Sequence, residues 1–380
     1  MKKILYLLDN HIDSIGGSQK STKTIIEQML KLNYKIGVFM TDSNISNKKE
    51  ECSLYNKCDI YIVKERCDKS TRIKYTNYLI NQLLKCIVDY KPDIIHAQNP
   101  RIAIVLGILL KLNRIDSKVK CIYTDRHFFE AYSLKNRLLF KFIGGLFELV
   151  ITTTKTNKKA WEDNVKLKKS LCISNVLEDE WFLFSQDLKT KIKRKMHLEN
   201  KFVIGFSGRF QEYKRWDTVY EICKYYIKNE NVHFSFTLTA DNDDDRKKMD
   251  LFIQNIKLLL GNKVSIIVDA DLTQMKEFYY SLDLFVLTSE RESFGRTLLE
   301  AMTKGNIVIG TNSGGVPDVI KNADLLFEVG DYKSACWKID DFINDILMTK
   351  ELQGKLIHYV KENFSVEKLV IEHNKIYNEM

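Results

Sequence analysis

The chain has 380 residues, of which 44% are hydrophobic and 29% are charged, and its formal net charge is +9. This length exceeds the usual limit for one hydrophobic core, so two domains are expected. The composition excludes a long disordered region, and the longest uncharged apolar stretch, 102–110, falls far short of the roughly 20 residues that span a bilayer.

The first residues and the cysteines both indicate a cytoplasmic protein. The apolar run Ile4–Leu8 ends at Asp9, too early for the core of a signal peptide, and instead predicts a buried first strand. The eight cysteines contain no C-x-x-C pair, so we expect reduced thiols, with neither a zinc site nor a disulfide framework.

Strands and helices are predicted to alternate twice along the chain. In the first copy, a strand at Ile4–Leu8 leads through a Gly-Gly turn to a helix at Ser21–Leu32. The further strands predicted in this half are 34–40, a strand ending at 93–96, 120–124, 149–153 and a strand ending at 171–175.

Before the second copy, around residues 171–200, the end of a strand is followed by a polar, lysine-rich stretch, Ser185–Asn200, and we place the connection between the domains in this region. The first strand of the second copy, Phe202–Phe206, precedes a helix at Trp216–Lys228. The further strands predicted here are 232–239, 264–268, 284–287 and 307–309. Two such sets predict two doubly wound sheets, with ligand sites at the carboxyl ends of their strands.

Two of the three glutamates in the segment 289–302, SERESFGRTLLEAM, suit a sugar-nucleotide ligand. A helix that begins near Phe294 would point its free N–H groups at a diphosphate, with Ser293 and Gly295 beside it. Glu292 precedes this helix and Glu300 lies about two turns along it. Each carboxylate can accept two hydrogen bonds from a vicinal diol, as found in sugars and ribose.

A second segment, GRFQEYKRWD at 208–217, supplies two cations directly after a predicted strand. Arg209 offers a planar fork and Lys214 a point charge, and an anionic leaving group needs such fixed cations. We therefore predict that both bind the diphosphate.

Together these segments resemble retaining glycosyltransferase family 4, which has the GT-B fold. Residues 289–302 are similar to its E-x7-E signature, 208–217 to its G-R-x-x-x-x-K-G-x-D segment, and 305–310 and 313–320 to its downstream glycine blocks. Asn306 and Asp318 depart from the usual proline and glutamate, and Arg215 replaces a usual glycine.

The resemblance implies two Rossmann-like domains that face each other across a cleft, with a carboxyl-terminal helix that crosses back to the first. On this basis we expect an acceptor-side domain at 1–180, a donor-side domain at 181–362 and the crossing helix at 363–380. The amino-terminal half matches mainly in its architecture.

The resemblance also implies roles for individual residues. Glu292 would hold the transferred sugar and Glu300 the ribose, while the loop around Asp271 would hold the base. From the first domain, Gly16, Gly17 and His127 would cover the sugar when the cleft closes. His96 is similar to a D-x-x-H segment, and for it a structural or acceptor-lining role is expected.

No metal or other cofactor is expected, since the nucleotide sugar is a co-substrate. The acidic run 241–245 leaves Mg²⁺ or Ca²⁺ binding open as an alternative, but a solvated loop is favoured because Arg209, Lys214 and the helix end already supply positive charge.

The predicted partners are a nucleotide-sugar donor, with UDP expected from family frequency, and a glycan or lipid-linked acceptor of cell-surface polysaccharide synthesis. Residues 111–195 carry 19 Lys and Arg against 10 Asp and Glu. This surplus, together with the segment 135–142, KNRLLFKF, in which cations are mixed with large apolar side chains, raises the hypothesis of peripheral docking on the inner face of the cell membrane. An ordinary solvated face and ordinary helix packing are the alternatives.

Two rival functions remain open from the sequence. A nucleotide-sugar epimerase can share the architecture and would need no acceptor. A non-enzymatic protein that binds anionic ligands is the other rival; nucleic acid is not predicted as its ligand, because no recognised binding motif accompanies the charge.

Overall fold

The computed structural model describes residues 1–14, 17–42, 52–64 and 72–380, and these residues form two compact units. Unit 1 contains Met1–Val176 together with Val366–Met380, and unit 2 contains Leu177–Ser365. The chain passes from unit 1 to unit 2 after Val176, and the lysine-rich part of the region predicted for the connection forms a helix of unit 2, in which Ser185 caps the first turn and Ile192 is buried.

Strands and helices alternate along most of the described part of the chain. The strands are β1 (Lys3–Leu7), β2 (Lys35–Asp42), β3 (Asp59–Lys64), β4 (Ile94–Ala97), β5 (Lys120–Asp125), β6 (Leu149–Thr152), β7 (Ser170–Cys172), β8 (Phe202–Arg209), β9 (Val232–Thr239), β10 (Val264–Val268), β11 (Leu284–Leu287), β12 (Ile307–Thr311) and β13 (Leu326–Phe327).

The helices are α1 (Gly17–Lys31), α2 (Arg72–Tyr90), α3 (Pro100–Lys111), α4 (Leu134–Ile143), α5 (Lys155–Asn164), α6 (Gln186–Lys195), α7 (Trp216–Tyr225), α8 (Asp243–Leu260), α9 (Leu272–Ser281), α10 (Arg296–Thr303), α11 (Val316–Ile320), α12 (Tyr332–Asn344), α13 (Ile346–Asn363) and α14 (Val366–Glu379).

Unit 1 is built on a seven-stranded parallel sheet with the order β3-β2-β1-β4-β5-β6-β7. Its central strands are short apolar runs that are buried on both faces, as β4 is along its whole length. Such runs are typical of parallel sheets covered by helices on both sides. Two separate apolar clusters in unit 1 fit this arrangement, and the second includes Leu369 and Ile376 of α14.

Polar contacts also fix α14 within unit 1. The Tyr377 hydroxyl lies 2.8 Å from the Tyr6 hydroxyl of β1 and 2.7 Å from His96 Nδ1 of β4. The other ring nitrogen of His96 lies 2.7 Å from the Thr124 hydroxyl of β5. A buried hydrogen-bond chain therefore joins the carboxyl-terminal helix to three neighbouring strands.

Unit 2 is built on a six-stranded parallel sheet with the order β10-β9-β8-β11-β12-β13 and one large apolar cluster. The order of the strands reverses between β8 and β11, which are hydrogen-bonded neighbours. The loops that leave the carboxyl ends of these two strands are therefore adjacent, and in doubly wound sheets this is where ligands bind. Both units are Rossmann-like, as the sequence predicts.

Candidate active site

Lys214 and Glu292 form an ion pair at the reversal point of unit 2. Lys214 follows β8, Glu292 follows β11, and Lys214 Nζ lies 2.7 Å from Glu292 Oε2. Their side chains are 13% and 15% exposed. The structure thus places Lys214, which is predicted to bind the diphosphate, beside Glu292, which is predicted to bind the sugar of the same ligand.

Backbone hydrogen bonds hold the loops that carry this pair. Glu290 N donates to Tyr213 O at 2.7 Å, which ties one loop directly to the other. Gly315 N donates to Glu292 O at 2.7 Å, and Gly314 has a φ of 56°, with a hypothetical Cβ that would overlap the same carbonyl oxygen. Glycine is required at Gly314 both for its backbone conformation and for this close approach.

Burial and charge act in opposite directions on Glu292. Removal from water favours its neutral form, but the Coulombic attraction of Lys214 and the hydrogen bonds from Lys214, Ser289 and the Gly295 N–H outweigh it, so the pKa of Glu292 is lowered. The carboxylate is therefore ionised at neutral pH. An ionised acceptor held in a fixed position is suited to sugar hydroxyls.

The helix after Glu292 begins later than predicted. Its first residue is Arg296, because Gly295 has a φ of 86° and ends the preceding loop. Ser293 lies in that loop with partial exposure. Phe294 is 3% exposed and packs edge-to-face on Phe364 at 5.9 Å between ring centroids, so its side chain is part of the core.

Glu300 is nearly buried and its carboxylate already has two partners. Arg296 Nε donates to Glu300 Oε1 at 2.9 Å and the Tyr279 hydroxyl donates to Oε2 at 3.0 Å. Arg296 also donates to Glu178 at 2.5 Å. The structure therefore holds Glu300 in a network with Arg296, Tyr279 and, through Arg296, Glu178.

Arg209 ends β8 but forms a different ion pair. Its Nη1 lies 3.3 Å from Asp241 Oδ2, and its side chain is 56% exposed. The acidic run after Asp241 is the first turn of α8, capped by Asn242, rather than a solvated loop. Carboxylates are favourable at a helix amino terminus, so this position explains the run without a metal ion.

Asp271 is the amino-terminal cap of α9. Its side chain accepts from Gln274 N at 2.8 Å, and the Gln274 side chain accepts from Asp271 N at 3.0 Å. This capping box accounts for the aspartate at that position. A role for the surrounding main chain in binding a base stays a prediction.

The site residues predicted in the first half lie in unit 1. Gly17 is the first residue of α1, and Gly16 lies outside the described residues. His127 follows β5 with a side chain that is 54% exposed, and its backbone N–H donates to the buried Asp125 carboxylate at 3.0 Å. His96 is fully buried, and burial lowers its pKa well below the usual value, so it is a neutral structural residue.

Arg126 is a notable residue that the sequence reasoning did not single out. Its side chain is almost wholly buried beside His127, and one Nη donates to Gln98 Oε1 at 2.9 Å while the other reaches Asn175 Oδ1 at 3.4 Å. Burial lowers the pKa of Arg126 to about 10. Gln98 follows β4 and Asn175 follows β7, so these residues are far from Arg126 in the sequence. Only the order of the strands in the sheet shows that the three side chains lie together.

Arg296 was also overlooked, although its sequence position gave a signal. It lies four residues before Glu300, and arginine and glutamate at this spacing on a helix are neighbours.

Potential metal ligands come together at one place among the described residues. Single ligand atoms of His11, Asp13 and Cys52 lie within 4.8 Å of one another. The Asp13 carboxylate is already bonded to Ser53 and to Lys23. Burial raises the pKa of Cys52, which favours the thiol over the thiolate that binds metals. These three residues belong to unit 1.

Two family models match consecutive parts of the chain. Glycosyltransferase Family 4 matches residues 15–180, and Glycosyl transferases group 1 matches residues 188–363. The two matches fall on the two Rossmann-like units and define a glycosyltransferase of the GT-B class. The chain belongs to glycosyltransferase family 4, as its motifs predict.

Curated relatives agree with this classification. The chain is 31% identical over 207 residues to N-acetyl-alpha-D-glucosaminyl L-malate synthase of Bacillus anthracis, covering 52% of this chain and 51% of that protein. It is 28% identical over 212 residues to the capsular polysaccharide biosynthesis glycosyltransferase CapM of Staphylococcus aureus, covering 54% and 53%. The alignments thus span about half the length of these two relatives. An uncharacterised glycosyltransferase of Methanocaldococcus jannaschii is 23% identical over 96% of this chain and 95% of its own length.

Solved structures share the fold at low sequence identity. HepE of Anabaena in complex with UDP has a TM-score of 0.80 at 18% identity, with both chains covered completely. Sucrose-phosphate synthase of Thermosynechococcus elongatus has a TM-score of 0.82 at 15% identity, covering 100% of this chain and 99% of the other. In the part of the chain that the structure describes, no helix combines the length and apolarity needed to cross a bilayer.

Proposed function

We propose that this chain transfers a sugar from a UDP-sugar to a glycan or lipid-linked acceptor in cell-surface polysaccharide synthesis, with retention of the anomeric configuration. Family membership supports the reaction class. The UDP and UDP-glucose complexes of HepE support the donor, and the similarity to CapM supports the pathway class. Retention is inferred from the family resemblance.

The observation that carries the proposal is the Lys214–Glu292 pair at the carboxyl edge of the unit 2 sheet. A lysine ammonium has three N–H donors, and the 2.7 Å contact uses one of them, so two remain for the oxygens of a diphosphate. The ionised Glu292 can then accept hydrogen bonds from the sugar. Because both groups are fixed before the donor arrives, little reorganisation is needed in the transition state.

In the proposed reaction the bond between the sugar C1 and the diphosphate oxygen breaks, and UDP leaves with the bonding electron pair. The acceptor oxygen forms the new bond to C1 on the same face, and its proton passes to the departing phosphate oxygen. Lys214 and Arg209 stabilise the charge that develops on the diphosphate, and no metal is needed. For Arg209 this requires exchange of Asp241 for phosphate; the 56% exposure of the Arg209 side chain makes this exchange inexpensive.

The other predicted roles remain part of the proposal. Glu300 would bind the ribose, and for this it must share its carboxylate with Arg296 and Tyr279. The main chain around Asp271 would bind the base. Gly16, Gly17 and His127 would contact the transferred sugar, as the family resemblance implies.

Thermal unfolding in the presence of a panel of nucleotides and nucleotide sugars tests the donor. A ligand that binds only the folded state raises the free energy of unfolding, by about 2.7 kcal/mol when its free concentration is 100 times its Kd. The melting temperature rises as a result. We expect UDP and UDP-sugars to raise it more than ADP, GDP or CDP compounds. If no nucleotide raises it, the proposal is refuted.

A turnover assay separates the proposal from its rivals. A transferase releases UDP quickly only when a glycan or lipid-linked acceptor is added, and EDTA leaves that rate unchanged. An epimerase would convert the UDP-sugar in the absence of any acceptor. A non-enzymatic binder would bind without turnover, and retention on nucleic acid at physiological salt would identify that type of ligand.

A further inference from the structure

Helix α4 of unit 1 presents a stripe of large apolar side chains to solvent. Leu134, Leu138 and Phe142 are 72%, 56% and 73% exposed. They are spaced four residues apart, so on a helix of 3.6 residues per turn they lie along one face. Phe140 and Ile143 point the other way and are buried. The stripe is thus the outer face of a helix whose inner face is part of the core.

The packing of α4 holds this stripe in a fixed orientation. Phe140 stacks on Tyr123 at 5.6 Å and meets Trp161 at 4.9 Å between ring centroids. Ser133 caps the first turn by accepting from Asn136 N at 3.3 Å. Because the helix cannot roll without disrupting these buried contacts, its apolar side chains cannot turn inward.

Cations border the stripe on both sides. At about 100° per residue, Lys135 lies next to Phe142 on one side of the stripe, and Lys141 and Arg137 lie on the other. The ten residues of α4 contain no aspartate or glutamate. Among the residues that the structure describes, none of these three cations forms an ion pair, in contrast to many of the lysines and arginines elsewhere in the chain.

This combination favours an anionic lipid surface over other partners. Apolar side chains that project from a helix with flanking lysines and arginines insert at the boundary between headgroups and acyl chains, while the cations contact lipid phosphates. A second copy of this chain would place these cations against one another. An ordinary solvated face would not expose three large apolar side chains in a row.

We propose that the outer face of α4 docks this protein on an anionic lipid bilayer, with Leu134, Leu138 and Phe142 in the interface and the flanking cations on lipid phosphates. The proposal assigns the docking hypothesis raised by residues 111–195 to one exposed face of α4. It does not depend on the donor chemistry, because its residues all lie in unit 1.

Co-sedimentation of the full chain with vesicles tests this proposal. With vesicles of phosphatidylcholine and phosphatidylglycerol at low salt, we expect the wild-type chain to sediment, and with phosphatidylcholine alone we expect much weaker binding. The double variant L138S/F142S should lower the partition coefficient at least about tenfold, since it removes most of the inserted apolar surface. The double variant K135Q/K141Q should lower it about 25-fold on anionic vesicles, at about fivefold for each cation.

The matched control is L251S/L258S, which replaces two apolar residues of α8 in unit 2 that are 59% and 85% exposed. This variant should sediment like the wild type. A UDP-induced thermal shift measured on every variant reports folding and donor binding independently of lipid. Failure of that shift in the wild type would count against the proposed function, not against docking.

Three results would overturn the docking proposal. The wild type fails to sediment with anionic vesicles at low salt, or L138S/F142S sediments as well as the wild type. Alternatively, the wild type is a dimer by light scattering that L138S/F142S converts to a monomer, which would mean that a second copy covers the stripe.

Discussion

The Lys214–Glu292 pair gives the sharpest prediction, because its two members should respond oppositely when each is neutralised. Lys214→Met removes a charge-assisted hydrogen bond to the diphosphate. Such a bond contributes about 1.5–3 kcal/mol, so the Kd for UDP should rise about 10- to 150-fold. Glu292→Gln removes a negative charge 2.7 Å from the lysine that binds the anion. UDP should therefore bind to this variant at least as tightly as to the wild type, while sugar transfer falls by orders of magnitude.

The same variants should also lower the stability of the protein. Removing one partner of a fully buried ion pair lowers the free energy of unfolding by about 3–5 kcal/mol, whereas an exposed ion pair contributes about 0–1 kcal/mol to it. With side chains 13% and 15% exposed, each single change should cost about 2 kcal/mol of unfolding free energy, and the double variant should cost less than the sum.

The assays are isothermal titration calorimetry with UDP, denaturant unfolding and sugar transfer, all on the full chain. The control is Lys193→Met, since Lys193 and Asp283 form a pair of similar burial, 13% and 19%, at 2.6 Å in the same unit. Asp283 precedes β11, at the opposite edge of the sheet. This control should lose stability and keep UDP affinity. The reasoning is refuted if Lys214→Met binds UDP like the wild type, or if Glu292→Gln binds it tenfold more weakly.

Three further predictions concern the backbone and the buried titrating groups. Gly314→Ala should lower unfolding free energy by about 1–3 kcal/mol and reduce transfer, because it pushes on the Glu292 carbonyl; Gly354→Ala, with no neighbour within 4 Å, should be neutral or stabilising by denaturant unfolding. Burial lowers the pKa of Lys189 to about 8, so between pH 8 and about 10 the unfolded chain holds a proton that the folded chain has lost. From pH 7 to 9 the stability of the wild type relative to Lys189→Met should therefore rise by about 1 kcal/mol, and no change would contradict the burial of this amine. Burial lowers the pKa of His373 to about 4, so between about pH 4 and 6.5 this residue binds a proton in the unfolded chain but not in the folded one. Going from pH 7 to 5 should therefore lower the unfolding free energy of the wild type by about 2 kcal/mol more than that of His373→Gln. Equal losses in the two proteins would show that the imidazole is solvated.

The strands show how much of the fold could be read from the sequence. Three strands of unit 2, β9, β10 and β11, have the predicted bounds. Of these, β11 is a continuous apolar run that is buried along its whole length, as is typical of central parallel strands. The strands β3 and β13 were not predicted. Both lie at the edges of their sheets and are only partly buried, as the edge strand β10 also is, and β13 has only two residues.

The helices show where local pattern misleads. The lysine-rich part of the region predicted for the connection forms α6, whose buried Lys189 donates to the Asn306 side chain at 2.7 Å. Asn306 is the residue that replaces a usual proline of the motif, and its side chain is the hydrogen-bond acceptor for the buried Lys189. Neither sequence position by itself indicates the other, because they are more than 100 residues apart.

The sequence by itself determined the two Rossmann-like units, the family, and which charged residues follow the strands at the ligand-binding edge of the sheet. These properties depend on local patterns and on short motifs. Only the tertiary structure decided how the charges are paired: Lys214 with Glu292, Arg209 with Asp241, and Glu300 with Arg296 and Tyr279. The physical reason is that most of these pairings depend on distances of a few ångströms between residues about 20 to 80 positions apart. The placement of β8 beside β11 brings Lys214 to Glu292, the placement of β8 beside β9 brings Arg209 to Asp241, and the packing of α9 and α10 brings Tyr279 to Glu300.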